Sequence, residues 1–187
     1  IVLAPLVGQH AQALVEAGLA YRKSGDSDRA LRVWQKAAHD FPGTTEAFRA
    51  LTEIGREQYL KGKFTDAAQS LAQVTTTGAG KIVLAPVFRL LSAALKESGD
   101  ERGALDAALN GMKQKPDPTD EEELLFTAGY LSHKLGDEAE ARRLLESLTD
   151  KYPTGSRAAE ALFWLGEARY AAGDAEGRRE GPTVARQ

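Results

Sequence analysis

An all-α fold, a right-handed α-solenoid of about nine helices in stacked hairpins, is what this sequence predicts, and three observations lead there. Gly25, Gly62, Gly99, Gly136 and Gly173 each lie 37 residues after the one before, and self-similarity at a fixed period of this size marks stacked supersecondary repeats. The register extends beyond the glycines. Seven residues before them lie the small residues Gly18, Gly55, Ser92, Gly129 and Gly166, and five residues after the first four come Ala30, Ala67, Ala104 and Ala141. Third, apolar residues recur at helical spacing on both sides of the glycines, as in Leu14, Ala17 and Tyr21 before Gly25 or Leu144, Leu145 and Leu148 after Gly136.

Each repeat therefore reads as a helical hairpin. Glycine suits the left-handed residue that ends a helix, because it has no Cβ to clash there. Asp26, Asp100, Asp137 and Asp174 follow four of the five glycines and can cap the next helix by accepting from its unpaired amides. Asp137 with Glu140, and Thr119 with Glu122, have the spacing of a reciprocal capping box. The spacing predicts helix pairs over 6–24 and 27–40, 45–61 and 64–75, 86–97 and 101–114, and 120–135 and 138–151, then a ninth helix over 156–172. The small residues on the two sides of each turn are expected to face one another where the helices cross, so that larger neighbours interlock.

After Asp174 the pattern fails, since the alanine place becomes Arg178 and the bulky place Pro182. The expectation is one domain over 1–174, four full hairpins plus a capping helix, with 175–187 as a disordered tail. Because the numbering starts at Ile1 and not at a methionine, a processed or excised piece is expected. The length of 187 residues and 42% apolar content fit one helical domain of ordinary size.

The formal charge of −3 and a pI of about 5.7 give no broad attraction to nucleic acid or anionic lipid. No cysteine is present, which removes disulfides, thiolate metal sites and cysteine nucleophiles while leaving the redox compartment open. No apolar run approaches the roughly 20 residues of a membrane span, so no direct membrane insertion is expected.

The first repeat, with Leu14, Ala17, Gly18, Tyr21, Ala30, Trp34, Ala37 and Pro42, is similar to the tetratricopeptide pattern W-x2-L-G-x2-Y, A-x3-F, P. Later repeats depart from it where Tyr21 becomes Gln58, Leu95, Ser132 and Arg169, and the period is three residues longer than the usual 34. The stretch from Tyr152 to Asp174 resembles the tetratricopeptide domains of bacterial cell-envelope proteins, especially the periplasmic coordinator of the Tol–Pal system and the outer-membrane assembly lipoproteins. The resemblance implies a scaffold that binds proteins or peptides and is not an enzyme. It also implies a periplasmic or outer-membrane-associated setting, with the cytoplasm left open. An alternative is the helical arm of a larger envelope enzyme, a hydrolase or transglycosylase whose catalysis lies outside this chain.

In solenoids the first helices of the hairpins line the binding face. The stripe at places 2, 5, 9 and 12 of these helices contains Arg49, Arg56 and Tyr59; Arg89 and Lys96; Phe126, Tyr130 and His133; and Phe163 and Tyr170. A basic middle is expected to attract carboxylates of a partner peptide, and an aromatic end to offer flat apolar area. Equally, arginines on a helix face can simply be solvated, and Phe126 and Phe163 can pack between helices. Phe163, Trp164 and Leu165 form an apolar run that makes a homo-oligomer through the last helix a further possibility.

No catalytic residue, cofactor or metal site is expected. The "TTTGAGKIVL" stretch from Thr75 has Thr75 where a phosphate loop needs glycine and Ile82 where it needs serine or threonine; it is expected as a flexible link. "DPTDEEE" from Asp117 places acid at a helix start, where the macrodipole favours it. His10, His39 and His133 share no register place, which argues against a metal or acid–base constellation. "IVLAP", at Ile1 and Ile82, puts proline where a helix can begin.

Overall fold

The fold is that of a computed structural model describing residues 3–76 and 84–179, with side chains over 8–76 and 84–173. The described residues form nine helices and no strand: α1 (Leu3–Lys23), α2 (Ser27–Asp40), α3 (Thr45–Leu60), α4 (Phe64–Thr76), α5 (Leu84–Glu97), α6 (Glu101–Met112), α7 (Pro118–Lys134), α8 (Glu138–Lys151) and α9 (Ala158–Arg179). Two compact units divide the chain, unit 1 over Ile1–Asp100 and unit 2 over Glu101–Gln187. In unit 1 each of α1 to α4 packs on the next, with α3 also touching α1 and α5; in unit 2 α6 to α9 pack successively and α7 also touches α9.

The same hydrogen-bonded turn closes four helices. At the first, Gly25 has φ 83°, its amide donates to the Arg22 carbonyl, and the Asp26 amide reaches back to Tyr21. Gly62, Gly99 and Gly136 repeat the pair of bonds, the Schellman arrangement that satisfies the last carbonyls of a helix. The residue after the glycine also starts the next helix: Asp26, Lys63 and Asp137 accept through their carbonyls from Ala30, Ala67 and Ala141. The Asp26 and Asp137 carboxylates accept from the Arg29 and Glu140 amides at 2.9 and 3.1 Å.

The expected reciprocal boxes do not form. Glu140 pairs with Arg143 at 2.6 Å, a nearer partner on its own helix. Asp117, and not Thr119, caps α7, accepting from the Asp120 amide. Glu122, expected to complete that box, is buried and accepts instead from the Arg157 amide at 2.6 Å.

Three of the hairpin crossings, α1 with α2, α3 with α4 and α7 with α8, are each a knob in a glycine hole. A Cβ added to Gly18 would stand 2.1 Å from Trp34, to Gly55 2.6 Å from Leu71, and to Gly129 2.7 Å from Leu145. The side chain over each glycine is thus the bulky one nine residues after the turn, and not the alanine expected there. The alanine lies one helical turn earlier on the same face, fully buried. Trp34 fits because its indole N–H donates to the Val15 carbonyl at 3.2 Å, which satisfies the buried donor.

The fifth glycine behaves differently. The helix expected to stop at 172 continues through Gly173, and α9 reaches Arg179. Residues 175–179 of the expected disordered tail are helical, while 180–187 lie outside the described residues. With Arg178 where the other repeats carry the buried alanine, folding back would bury a charge and no apolar side chain, so continuing the helix is the better course. Of the link expected over 75–84, Thr75 and Thr76 belong to α4 and Leu84 opens α5, while 77–83 and the first "IVLAP" side chains lie outside the described residues; Pro86 sits in the first turn of α5, as its fixed φ allows.

Candidate protein-interaction site

The predicted stripe is accessible in both units, and the two units use it differently. In unit 2, α7 carries Phe126, Tyr130 and His133 on one face, and α9 packs beside it with Phe163 and Tyr170. The rings form one cluster: Phe126 lies parallel to Tyr130 at 6.3 Å, Tyr130 meets Trp164 edge-on at 4.9 Å, and Phe163 meets Trp164 edge-on at 5.0 Å. His133 lies 5.5 Å from Trp164, and its Nδ1 is 2.8 Å from Glu138. Edge-on and offset ring pairs are the geometries the aromatic quadrupole favours.

Arg157, from the segment before α9, clamps one end of this cluster. Its guanidinium lies 4.9 Å from the centre of the Phe126 ring and bonds Glu123 at 2.9 and 3.1 Å and Glu160 at 2.9 Å. Hydrogen bonding to Glu123 raises the Arg157 pKa further above its ordinary value. Phe163, at the outer edge of the cluster, is 59% exposed, and Tyr170, on the same face of α9, is 72% exposed.

Unit 1 holds the basic part of the stripe, and much of its charge is already matched. Arg49 faces Glu16 at 3.5 Å, Arg56 faces Glu53 at 3.5 Å, and Lys96 faces Glu97 at 3.6 Å. Glu53 also bonds Arg22. Arg89 is exposed. Tyr59 packs edge-on against Phe64 at 5.3 Å, and burial, with the Glu97 charge, raises its pKa. A shallow pocket lies between Val15, Leu19, Arg49, Thr52 and Pro86. Arg49, Arg56 and Lys96 are therefore positioned by carboxylates of their own unit, and a partner's carboxylate would have to exchange with these.

The acidic stretch at the start of α7 is spent on structure. Glu121 accepts from Lys151 and from the Tyr152 hydroxyl, Glu122 from the Arg157 amide, and Glu123 from the Arg157 guanidinium. No group of acids and histidines among the described residues has metal-binding geometry, and no described helix is long and apolar enough to cross a membrane. Two members of the aromatic site escaped the stripe pattern. Trp164 sits one residue beyond a stripe place and is drawn in by Tyr130; Arg157 precedes the helix, and nothing near it in sequence announces Glu123. Phe163, Trp164 and Leu165 do not make one surface, since Phe163 is exposed, Trp164 half-buried and Leu165 in the core.

With this geometry in place, comparison with known proteins decides the family. The tetratricopeptide repeat profile matches residues 15–81 and 128–177, more than half of the chain. The chain belongs to the tetratricopeptide-repeat family. Solved structures share its fold, two of them described as tetratricopeptide repeat proteins. A tetratricopeptide repeat protein from Parabacteroides merdae superposes with a TM-score of 0.71 at 20% identity, over 90% of this chain and 63% of that one, so the chain spans under two thirds of that protein's length. YrrB, described as a TPR protein with an unusual peptide-binding site, gives 0.70 at 19% identity over 86% of this chain and 76% of its own. MamA gives 0.67 at 18% identity over 96% of this chain and all of its own. No curated protein sequence matches the chain significantly.

Proposed function

We propose that this tetratricopeptide-repeat chain is a non-enzymatic scaffold that captures a partner protein by a peptide segment laid along the aromatic face of unit 2. The observation that carries the reading is the pairing of the exposed Phe163 with a fixed layer of Trp164, Tyr130 and Phe126, with Tyr170 exposed two turns further along the same face of α9. Large rings held in place before binding lose little entropy on contact, which is why such residues dominate interface energies. A peptide-binding site in YrrB, a protein of the same fold, supports this use of the architecture. The stripe of unit 1, with Arg49, Arg56, Tyr59, Arg89 and Lys96, is a second contact surface suited to a partner carrying carboxylates. A bacterial envelope, periplasmic or outer-membrane-associated, is the proposed setting, on the resemblance carried by Tyr152 to Asp174.

Selection of displayed random peptides on the purified chain tests this. Enriched peptides should lose binding to the Phe163→Ser/Tyr170→Ser double variant while its helical circular dichroism is unchanged. The Arg56→Glu/Arg89→Glu variant reads out unit 1 separately. Peptides that bind the aromatic double variant as tightly as the parent would overturn the proposed face.

A further inference from the structure

The aromatic face of unit 2 already holds one arginine, and α9 repeats the pair of residues that holds it. On α7, Glu123 and Phe126 stand three residues apart. Arg157 lies 4.9 Å from the centre of the Phe126 ring, and its Nε and Nη2 donate to the two oxygens of Glu123 at 2.9 and 3.1 Å. Glu160 and Phe163 stand at the same register places 37 residues later. There the ring is open to solvent, whereas Phe126 is half-buried beside its guanidinium. Glu160 lends one oxygen to Arg157 at 2.9 Å and is otherwise accessible, with its side chain 54% exposed. We infer that the segment captured by this face is cationic, and that an arginine of the partner protein lies on Phe163 between Glu160 and Glu167. This rests on the proposed capture of a peptide by unit 2 and names the chemistry of that peptide.

Charge complementarity carries the choice of arginine. Glu167 and Tyr170 share the arc of α9 that carries Glu160 and Phe163. Both are exposed, and the Glu167 carboxylate has no ion-pair partner among the described residues. Phe163 is thereby flanked by carboxylates three residues before it and four residues after it, the spacings at which helical side chains meet. Nearby cations are taken: Arg169 pairs with Glu146 at 2.8 Å, and Lys134 bonds Glu101. Among the described residues, Glu123, Glu160 and Glu167 thus stand on this face against the single guanidinium of Arg157, which leaves an excess of negative charge. A guanidinium answers both features at once, because its flat face is drawn to the ring quadrupole while its edge bonds a carboxylate in two places. An ammonium has no flat face to lay on the ring, and an acidic segment would be repelled.

The test uses the full chain and the peptides enriched on it from a displayed random library. Arginine should recur in those that the Phe163→Ser/Tyr170→Ser variant fails to bind. One such peptide is made with a fluorescein label, and again with citrulline, the neutral isostere, in place of each arginine. Fluorescence anisotropy should show affinity falling about tenfold for the citrulline form, and by a similar factor for the arginine form on Glu167→Gln. The two changes together should cost less than their sum, the mark of a shared contact. Glu167 is exposed, so Glu167→Gln keeps the fold, which circular dichroism verifies. Peptides that need Phe163 and Tyr170 but carry no arginine, or bind equally well with citrulline, would overturn the inference and leave the peptide-binding face standing. Additive losses, or unchanged binding to Glu167→Gln, would place the arginine away from Glu167 with the same consequence. Peptides indifferent to the aromatic double variant, or no enriched peptide at all, would overturn both. A dimer in light scattering that Phe163→Ser/Tyr170→Ser dissociates would assign the face to a second copy, and binding that emerges only after removal of residues 180–187 would assign it to the chain's own end; either result overturns the inference.

Discussion

At Gly18 and Gly129 the absent Cβ is occupied space, filled by Trp34 and Leu145, and neither neighbour can give way, since both are fully buried and Trp34 is tied to the Val15 carbonyl. Gly18→Ala and Gly129→Ala should each cost about 1 to 3 kcal/mol through overpacking. The same substitution at Gly166 meets no neighbour and should stabilise α9 by roughly 1 kcal/mol, the helix propensity difference between alanine and glycine. Urea melts of the three variants test this, and a uniform sign would contradict the assignment of filled and open holes. Lys63 offers a second check. It occupies the capping place held elsewhere by Asp26 and Asp137 but has no side-chain oxygen, so Lys63→Ser should stabilise unit 1 by about 1 kcal/mol; no gain would mean that the α4 start is satisfied by other means. The small residues were legible from their spacing, but the side chain that covers them was not. Places five and nine after the turn share one helix face, and only the offset of the two helices decides between them.

Among the elements, α2 and α8 were legible to the residue, because each is bounded by a glycine turn and an aspartate cap before and an aromatic C-cap after. The end of α9 was not, because the glycine–aspartate pair that elsewhere makes a turn does so only when a second helix has something to bury. The acids of α7 show a further limit. Their number predicts a helix start, yet their partners lie in the α8–α9 segment and no local pattern names them. Glu121 gives the measurable consequence. Although burial alone would raise its pKa, bonds from Lys151 and Tyr152 hold it below its ordinary value of 4.5. A carboxylate whose pKa is lower folded than unfolded stabilises fully above the unfolded value and loses that contribution as pH falls through the folded one. Stability of the chain should therefore drop as pH falls below about 4.5, and Glu121→Gln should flatten that part of the profile. An unchanged acid limb would mean that the Lys151 and Tyr152 contacts contribute nothing to stability.

For the whole molecule, the 37-residue register passes through Gly99 without interruption, and from it we propose that residues 1–174 unfold as one domain. Calorimetry should show a single transition; two that separate on Gly129→Ala would contradict this. The candidate site was legible at the level of the face and not of the contact. The stripe counted from the glycines led to Phe126, Tyr130, His133, Phe163 and Tyr170, which do share a surface in unit 2, whereas Trp164 and Arg157, which organise it, depend on packing between α7 and α9 and on a segment outside the repeat. In unit 1 the stripe led to cations whose own carboxylates no register place foretold. The central claim, that the aromatic face of unit 2 receives a partner's peptide, is tested most directly by tryptophan emission. Of the two tryptophans, Trp34 is sealed in unit 1 and Trp164 lies in the cluster, so a selected peptide should shift or quench Trp164 emission saturably in the parent chain and leave it unchanged in Phe163→Ser/Tyr170→Ser. A peptide that binds with no change in Trp164 emission would place its site elsewhere and contradict the account.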